Sequence, residues 1–360
     1  MSKPACVYLT SLRWFVGKTA VCLGLGLKLH DEGYKVGYFK PIGLEMGRTL
    51  DGKPYDEDVV LMKDALGIKS PLEHIAPVVL RRHYLEETMK VGSEIYSYRI
   101  REGFKKVSEG VDIVLIEGIY CSAFGSHLGL SASELSKEFN SKMLFVSKFE
   151  NDCIVDELIR EKICIESQQG EVLGYVLNDV RREVIERTRD LVVPILEKHG
   201  LRNWGIIPWN ARLTSPTVRE IYESLGGELL ACGDKLDALV EAFLVGAMTP
   251  ESALSYFRKA TGKAVVTGGD RSDIALAALE TDTCVLILTG NLYPSVRVLA
   301  RADEKGVPVL LVPYDTFSTI EKLSQITGRI KPGDTKRIEL VKEMITKNVN
   351  YEELVRSIIT

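Results

Sequence analysis

The tripeptide Gly17-Lys18-Thr19 lies between a short apolar run over residues 5–9 and an amphipathic stretch over residues 20–30. The order of strand, tight loop, glycine-lysine-threonine and helix is that of a phosphate-binding loop. In such a loop the backbone N–H groups and the helix N-terminus face an anion. The lysine adds a positive charge, and the threonine hydroxyl can hold Mg²⁺. We therefore expect a nucleotide phosphate to bind at Gly17, Lys18, Thr19 and Ala20.

The loop departs from the usual pattern, which begins with a glycine five residues before Gly17. Leu12 stands at that position, and the bulky Trp14 and Phe15 occupy places that small residues usually hold. The alternative interpretation is a chance Gly-Lys-Thr at the start of an ordinary helix. Its position directly after the first predicted strand favours a phosphate-binding loop.

Length and charge limit the class of protein. The chain has 360 residues, enough for about two or three domains. Its formal net charge of -4 argues against nucleic acid or a membrane surface as a partner, and no apolar run approaches the ~18 residues of a membrane span. The first strand starts too early for a signal peptide, so we expect a cytoplasmic protein. None of the seven cysteines has metal-ligand spacing.

Apolar runs alternate with helical patterns along the chain. This alternation predicts an α/β fold, with a mostly parallel P-loop sheet covered by helices on both faces and a smaller α/β domain after it. We expect these domains over residues 1–213 and 214–330, with C-terminal helices over 331–360. The pattern predicts one long helix over 87–107 and a helix within 233–245. Ligands of parallel sheets lie at the carboxyl ends of the strands.

Three charged side chains lie near other strand ends of the first domain. Lys40 follows the second strand and can bind a phosphate or a carboxylate, unless it is simply a solvated lysine beside a turn proline. Glu117 ends an apolar run, where a buried carboxylate without a partner would be costly, so we favour a metal ligand. Asp58 belongs to a run of carboxylates, Asp56-Glu57-Asp58, at the start of a predicted helix; the run either caps the first turn or supplies a ligand to Mg²⁺.

Two later residues suggest a base pocket. Asn178, which we place at the end of a strand, carries a donor and an acceptor that together can recognise the edge of adenine. Pro208 directly follows the next predicted strand, over residues 204–207, and can line the pocket. Each signal is weak alone, because asparagine and proline are ordinary loop residues. Their order after the other motifs gives them weight.

The order of these motifs over about residues 4–210 resembles that of the dethiobiotin synthetase family of P-loop proteins. In that family Mg-ATP phosphorylates a carbamate before ring closure. The resemblance implies ATP as the nucleotide, with Lys18 and Lys40 as catalytic residues on phosphate or substrate and with Asn178 and Pro208 on adenine. It also implies three magnesium ligands, which are Thr19, Asp58 and Glu117.

A second resemblance covers about residues 215–325, where the turn Gly268-Gly269-Asp270-Arg271 ends a strand. The segment is similar to the DRTGG domain, which accompanies dethiobiotin-synthetase-like modules in the N-terminal part of some phosphate acetyltransferases. The turn is either an anion nest for a small effector or a tight turn in which Asp270 caps the next helix. A homodimer is implied by the resemblance. Acetyl transfer is not expected, since its domain would need about 300 further residues.

Three functions follow as alternatives. The first is an Mg-ATP-binding regulatory or sensor protein, with slow ATP hydrolysis. The second is an ATP-dependent ligase that phosphorylates a carboxylate or carbamate other than that of dethiobiotin synthetase. The third is an assembly module whose nucleotide site has decayed, which the bulky Trp14 and Phe15 suggest.

Overall fold

The chain forms two units, each built around its own sheet. The computed structural model describes residues 3–49, 51–81, 83–324, 326 and 328–359. The first unit joins the chain up to Trp209 with the residues from Ile330 onward, and the second is Asn210–Arg329. In the described part of the chain, no helix combines the length and the apolar character that crossing a membrane requires.

The first unit begins with alternating strands and helices. Its strands are β1 (Ala5–Thr10), β2 (Val36–Phe39), β3 (Ile42–Leu44), β4 (Gly47–Arg48), β5 (Pro54–Tyr55), β6 (Val78–Leu80), β7 (Ile113–Glu117), β8 (Lys142–Lys148), β9 (Val172–Val180) and β10 (Asn203–Pro208). Its helices up to that point are α1 (Lys18–Asp31), α2 (Glu57–Ala65), α3 (Leu72–Ile75), α4 (Leu85–Val91), α5 (Ser93–Ser108), α6 (Ala132–Glu138), α7 (Cys153–Ser167), α8 (Arg182–Arg187) and α9 (Val193–Lys198), with a 3₁₀ turn at Ser126–Leu128 and a π-helical turn at Thr188–Val192.

Six strands form the main sheet of this unit, in the order β10-β9-β8-β1-β7-β2. All neighbours are parallel. The central strands are apolar and buried, as expected for a parallel sheet with helices on both faces. The register places Leu9 of β1 beside Glu117 of β7, so the loop after β1 and the end of β7 meet at one edge. The predicted mostly parallel α/β fold is confirmed.

The second unit has a five-stranded sheet of its own. Its strands are β11 (Glu228–Ala231), β12 (Ala242–Val245), β13 (Lys263–Gly268), β14 (Thr283–Thr289) and β15 (Val309–Leu311), and its helices are α10 (Ala211–Thr214), α11 (Val218–Leu225), α12 (Pro250–Phe257), α13 (Ser272–Leu279), α14 (Val296–Lys305) and α15 (Thr316–Ser324). The order is β11-β15-β14-β13-β12, and only β11 is antiparallel to its neighbour. Val265 and Val266 of β13 enter separate apolar cores, so both faces of the sheet are covered.

The chain then returns to the first unit through α16 (Thr335–Asn348) and α17 (Tyr351–Ile359). A Cβ added to Gly24 of α1 would lie 2.3 Å from Ile345, so the small residue lets α16 approach closely. The N–H of Asn350 donates to the carbonyl of Trp204 over 2.8 Å. The C-terminal helices are therefore part of the first unit.

Two predicted helices are wrong in detail. The stretch 87–107 is divided between α4 and α5 by Gly92, whose φ of 85° is incompatible with a continuous helix. The segment 233–245 contains turns and then β12, because its last residues pair with β13 at the edge of the sheet. Tertiary pairing overrides the local pattern there.

Candidate functional site

The phosphate-binding loop connects β1 to α1 and ends at Gly17. This residue has a φ of 84°, in the left-handed region that favours glycine. A Cβ at Gly17 would lie 2.3 Å from Nδ2 of Asn178, so a side chain there would also force Asn178 to move. Ala20 is the third residue of the helix that follows. The sequence forms the predicted strand, loop and helix at this point.

Lys18 is buried beneath the loop and bonded on two sides. Its Nζ donates to Ser11 Oγ and to the carbonyl oxygen of Tyr120, each over 2.8 Å. Burial lowers the pKa of this ammonium to about 8, and the nearby charge of Glu117 opposes that shift. The lysine is thus held at the end of β1, where the sequence places a phosphate ligand.

Glu117 links the helix start to the sheet. Thr19 donates from Oγ1 to Glu117 Oε1 over 2.7 Å, and the hydroxyl of Tyr38 donates to Oε2 over 2.8 Å. Burial raises the pKa of this carboxyl, while the positive charge of Lys40 acts in the opposite direction. The two hydroxyl donors meet the bonding demand that a buried carboxylate imposes.

Lys40 lies among three carboxylates. Its Nζ is 2.6 Å from Asp58 Oδ2, 3.1 Å from Asp56 and 3.9 Å from Glu117 Oε1. Burial would lower the pKa of Lys40, but these negative charges outweigh it and raise the pKa. Asp56 also caps α2 and accepts from the N–H of Leu44, so among the predicted carboxylates the cap is Asp56, whereas Asp58 pairs with Lys40.

The two predicted base contacts lie further along the sheet. Asn178 is inside β9, two residues before its end at Val180, so its expected place at a strand end is wrong. Its Nδ2 donates to the carbonyl of Val16 over 2.9 Å. Pro208 is the last residue of β10, so this strand ends one residue later than predicted. The next residue, Trp209, packs its ring against the guanidinium of Arg181 at 4.1 Å.

The oxygen donors near Lys18 suit a hard cation. In the described ranges, no group of three or more His, Cys, Asp or Glu could hold a metal by itself. Mg²⁺ needs only one or two carboxylates when phosphate oxygens complete its coordination. Thr19 Oγ1 and Glu117 Oε1 lie 2.7 Å apart, whereas Asp58 Oδ2 bonds Lys40, so magnesium ligation by Thr19, Asp58 and Glu117 stays a prediction.

The turn after β13 in the second unit is tightly packed. The N–H of Gly269 donates to the Thr289 carbonyl over 3.2 Å, and a Cβ at Gly269 would lie 1.7 Å from the carbonyl oxygen of Leu292. Arg271 is the residue before α13, which has no side-chain cap, so the alternative of an Asp270 cap is wrong. Gly268 accepts the Arg271 N–H over 3.0 Å.

Sequence reasoning missed three contributors to the first unit's site. Tyr38 donates a hydrogen bond to Glu117, and Asp56 accepts one from Lys40. Tyr120 contributes only its backbone carbonyl, which accepts from Lys18. For Tyr38, the only sequence signal is weak: it is a tyrosine in an apolar strand, two residues before Lys40. A backbone contact such as that of Tyr120 leaves no signal in residue type.

The parallel sheet, the loop that ends at Gly17 and the buried Lys18 define a P-loop-type α/β protein. Comparison with known families agrees. The chain belongs to the AAA domain family, whose model matches residues 6–217. It also carries a DRTGG domain over residues 220–326, which confirms that predicted resemblance.

Relatives of the chain include several phosphate acetyltransferases. The enzyme of Pseudomonas putida is 28% identical, with 93% of this chain and 49% of the relative covered. That of Nitrosomonas europaea is 25% identical, with 97% and 51% covered, and that of Escherichia coli is 23% identical, with 94% and 50% covered. The chain thus spans about half the length of these relatives.

Solved structures give weaker likenesses. The septum site-determining protein MinD of Pyrococcus horikoshii, complexed with Mg-ADP, is 18% identical at a TM-score of 0.37, with 57% of this chain and 82% of that chain covered. The CBS and DRTGG domains of the Clostridium perfringens pyrophosphatase regulatory region, complexed with the activator diadenosine tetraphosphate, are 22% identical at a TM-score of 0.30, with 39% and 64% covered. Neither likeness is close enough to assign a function to this chain.

Proposed function

We propose that this protein binds Mg-ATP in its first unit and has a regulatory or sensor role, with slow hydrolysis of the nucleotide. The observation that carries the proposal is the pair Lys18 and Thr19 at the start of α1. The ammonium group of Lys18 is buried, and the hydroxyl oxygen of Thr19 lies 2.7 Å from Glu117 Oε1. This is the arrangement that a phosphate-bound magnesium ion requires.

Each residue has a role in the proposed complex. The N–H groups at Gly17 to Ala20 and the ammonium of Lys18 bind phosphate oxygens. Thr19 and Glu117 would hold Mg²⁺ together with Asp58, and the ion would neutralise phosphate charge. The adenine base is assigned to the carboxyl ends of β9 and β10, near Asn178 and Pro208.

Two features favour a regulatory role over a ligase. Lys40, the lysine that a ligase would use on its acid substrate, is buried and paired with three carboxylates. Tyr120, in the loop after Glu117, stacks its ring on Trp14 with centroids 4.0 Å apart. The candidate substrate lysine and this loop are therefore both engaged in contacts within the protein.

The DRTGG domain supports the regulatory half of the proposal. We assign to the second unit the binding of a small effector, and to the whole chain a cytoplasmic homodimer. Acetyl transfer is not part of the proposed function, although the relatives are phosphate acetyltransferases.

Titration calorimetry with ATP and Mg²⁺ tests nucleotide binding. We expect Lys18→Ala to lower the affinity for ATP by about 100-fold, or about 2.7 kcal/mol, because a charge-assisted contact to phosphate is lost. Arg13→Ala is the matched control. This cation lies in the same loop but pairs with Glu150 and Glu157, so its loss should change affinity less than about threefold.

Two outcomes would contradict the proposal. The first is a wild-type protein that does not bind ATP, and the second is Lys18→Ala binding as tightly as the wild type. ATP turnover that strictly requires an added carboxylic or carbamic acid would instead identify a ligase.

A further inference from the structure

We propose that Asn178 is a positioning residue of the phosphate-binding loop and acts on the phosphates of the ligand rather than on its base. The inference rests on the proposed nucleotide function and deepens it, replacing the base contact assigned above to Asn178 with a role at the phosphates. Its basis is a single side chain that reaches from β9 to the peptide between Val16 and Gly17.

The contact is short and closely packed. Asn178 Nδ2 donates to the carbonyl oxygen of Val16 over 2.9 Å. The same nitrogen would lie 2.3 Å from a Cβ at Gly17, so the amide occupies the space beside the glycine. Val16 is itself buried, with 4% of its surface exposed. The hydrogen bond is therefore partly shielded from competition by water.

Fixing the Val16 carbonyl also fixes a donor of the loop. The C=O of Val16 and the N–H of Gly17 belong to one planar trans peptide, in which the two groups point in opposite directions. Because Asn178 holds the carbonyl on one side, the Gly17 N–H is turned to the other. Backbone N–H groups with this kind of fixed orientation form the anion-binding concavity of a phosphate loop.

The position of Asn178 suits a rigid support. It lies within β9 and is in register with Lys148 of β8, so its backbone is held by the sheet. β9 is two strands away from β1 in the sheet order, roughly 10 Å at the usual spacing. A side chain on a strand is held more precisely than one on a loop. The amide thus links the loop to the sheet interior.

A base-reading role and a positioning role make different demands. If Asn178 only recognises adenine, its loss lowers the affinity for ligands that carry adenine and leaves the affinity for a bare polyphosphate unchanged. If it orients the loop, the affinity for every ligand with a polyphosphate chain falls to a similar extent. Comparing ATP, GTP and inorganic tripolyphosphate separates the two roles.

The test uses calorimetry of the full chain with these three ligands and Mg²⁺. Asn178→Leu keeps a similar shape without the donor and adds no charge. We expect it to lower the affinity for all three ligands by about tenfold, the effect of losing one hydrogen bond. Asn348→Ala is the matched control: it removes an amide-to-carbonyl bond of 2.8 Å, to Met344, elsewhere in the same unit, and should leave all three affinities within about twofold.

Hydrogen–deuterium exchange provides a readout that does not depend on ligand. We expect faster exchange at residues 16–18 in Asn178→Leu and in a second variant, Asn178→Ala, and unchanged exchange there in Asn348→Ala. Tripolyphosphate affinity within twofold of wild type, together with weakened ATP, would overturn the inference. A wild-type protein that binds neither ATP nor tripolyphosphate would overturn the proposed function and this inference with it.

Discussion

At the scale of single residues, Lys40 is the side chain on which the site's charge balance depends. It is 4% exposed and faces Asp56, Asp58 and Glu117. Removing one partner of a buried ion pair leaves uncompensated charge, which typically costs about 3–5 kcal/mol. We therefore expect Lys40→Met to lower the free energy of unfolding of the first unit by about this amount.

Urea unfolding followed by tryptophan fluorescence measures this effect, since all three tryptophans lie in the first unit. Lys148→Met is the control, because Lys148 pairs with Asp179 while its side chain stays 31% exposed. Such a partly exposed pair should contribute less than about 1 kcal/mol. Equal stability of the two lysine variants would mean that the buried carboxylates do not depend on Lys40.

Residue types and strand order predicted much of this cluster. Lys18, Lys40 and Glu117 were expected near one edge because the carboxyl ends of parallel strands meet there, and the structure places them together. Their partners were not predictable. Whether Lys40 faces a ligand or the carboxylates of its own chain depends on side-chain direction, which sequence spacing does not determine.

At the scale of elements, the phosphate loop and the segment after β7 are held together. The N–H of Ser122 donates to the Ser11 carbonyl over 2.9 Å, and Lys18 bonds the Tyr120 carbonyl. Phe15 and Tyr120 adopt φ values of 53° and 47°, which are unfavourable for bulky residues. Two aromatic residues in this region indicate that contacts between the segments maintain a strained arrangement.

A bound phosphate competes with the Tyr120 carbonyl for Lys18, so we expect ATP to loosen the stack of Trp14 on Tyr120. The measurement is tryptophan emission during an ATP titration. A red shift is expected in the wild type, because Trp14 is already 50% exposed and becomes more solvated. Trp14→Phe should show a smaller shift, since of the tryptophans it retains only Trp209 lies next to Pro208 of the proposed base site. The same shift in both proteins would place the change away from this stack.

The elements themselves were predicted unevenly. Central strands such as β7 and β8 were evident as continuous apolar runs, because they are buried on both faces. The edge strand β12 is apolar throughout, but its four residues are too few to distinguish a strand from the end of a helix. A short edge strand is defined by its pairing partner more than by its own composition.

At the scale of the whole molecule, the first unit is discontinuous in sequence. The second unit stands between Trp209 and Ile330, and both of its chain ends therefore lead into the first. Helices α16 and α17 look like a terminal appendage in the sequence, because nothing local indicates what they pack against. In the structure Gly205 of β10 bridges Val349, and Lys142 of β8 donates to the Ser357 carbonyl over 2.8 Å.

This arrangement predicts that the two units differ in their ability to fold alone. A fragment of residues 210–329 contains its whole sheet and both apolar cores, so we expect it to unfold cooperatively. A fragment of residues 1–209 lacks Ile345 and Leu354, which are buried in the full chain. Each such side chain contributes about 1.5–3 kcal/mol, a large share of a typical net stability of about 5–15 kcal/mol.

We therefore expect the 1–209 fragment to lose its cooperative transition in urea, measured by circular dichroism, and to regain it when a peptide of residues 330–360 is added. A peptide with Ile345→Asp and Leu354→Asp is the matched control and should not restore folding, since it would bury two unpaired charges. If the 1–209 fragment alone unfolded at the same urea concentration as the first unit of the full chain, the C-terminal helices would contribute nothing to its stability. Rescue by the peptide would instead make the segment after the DRTGG domain an obligatory part of the nucleotide-binding fold.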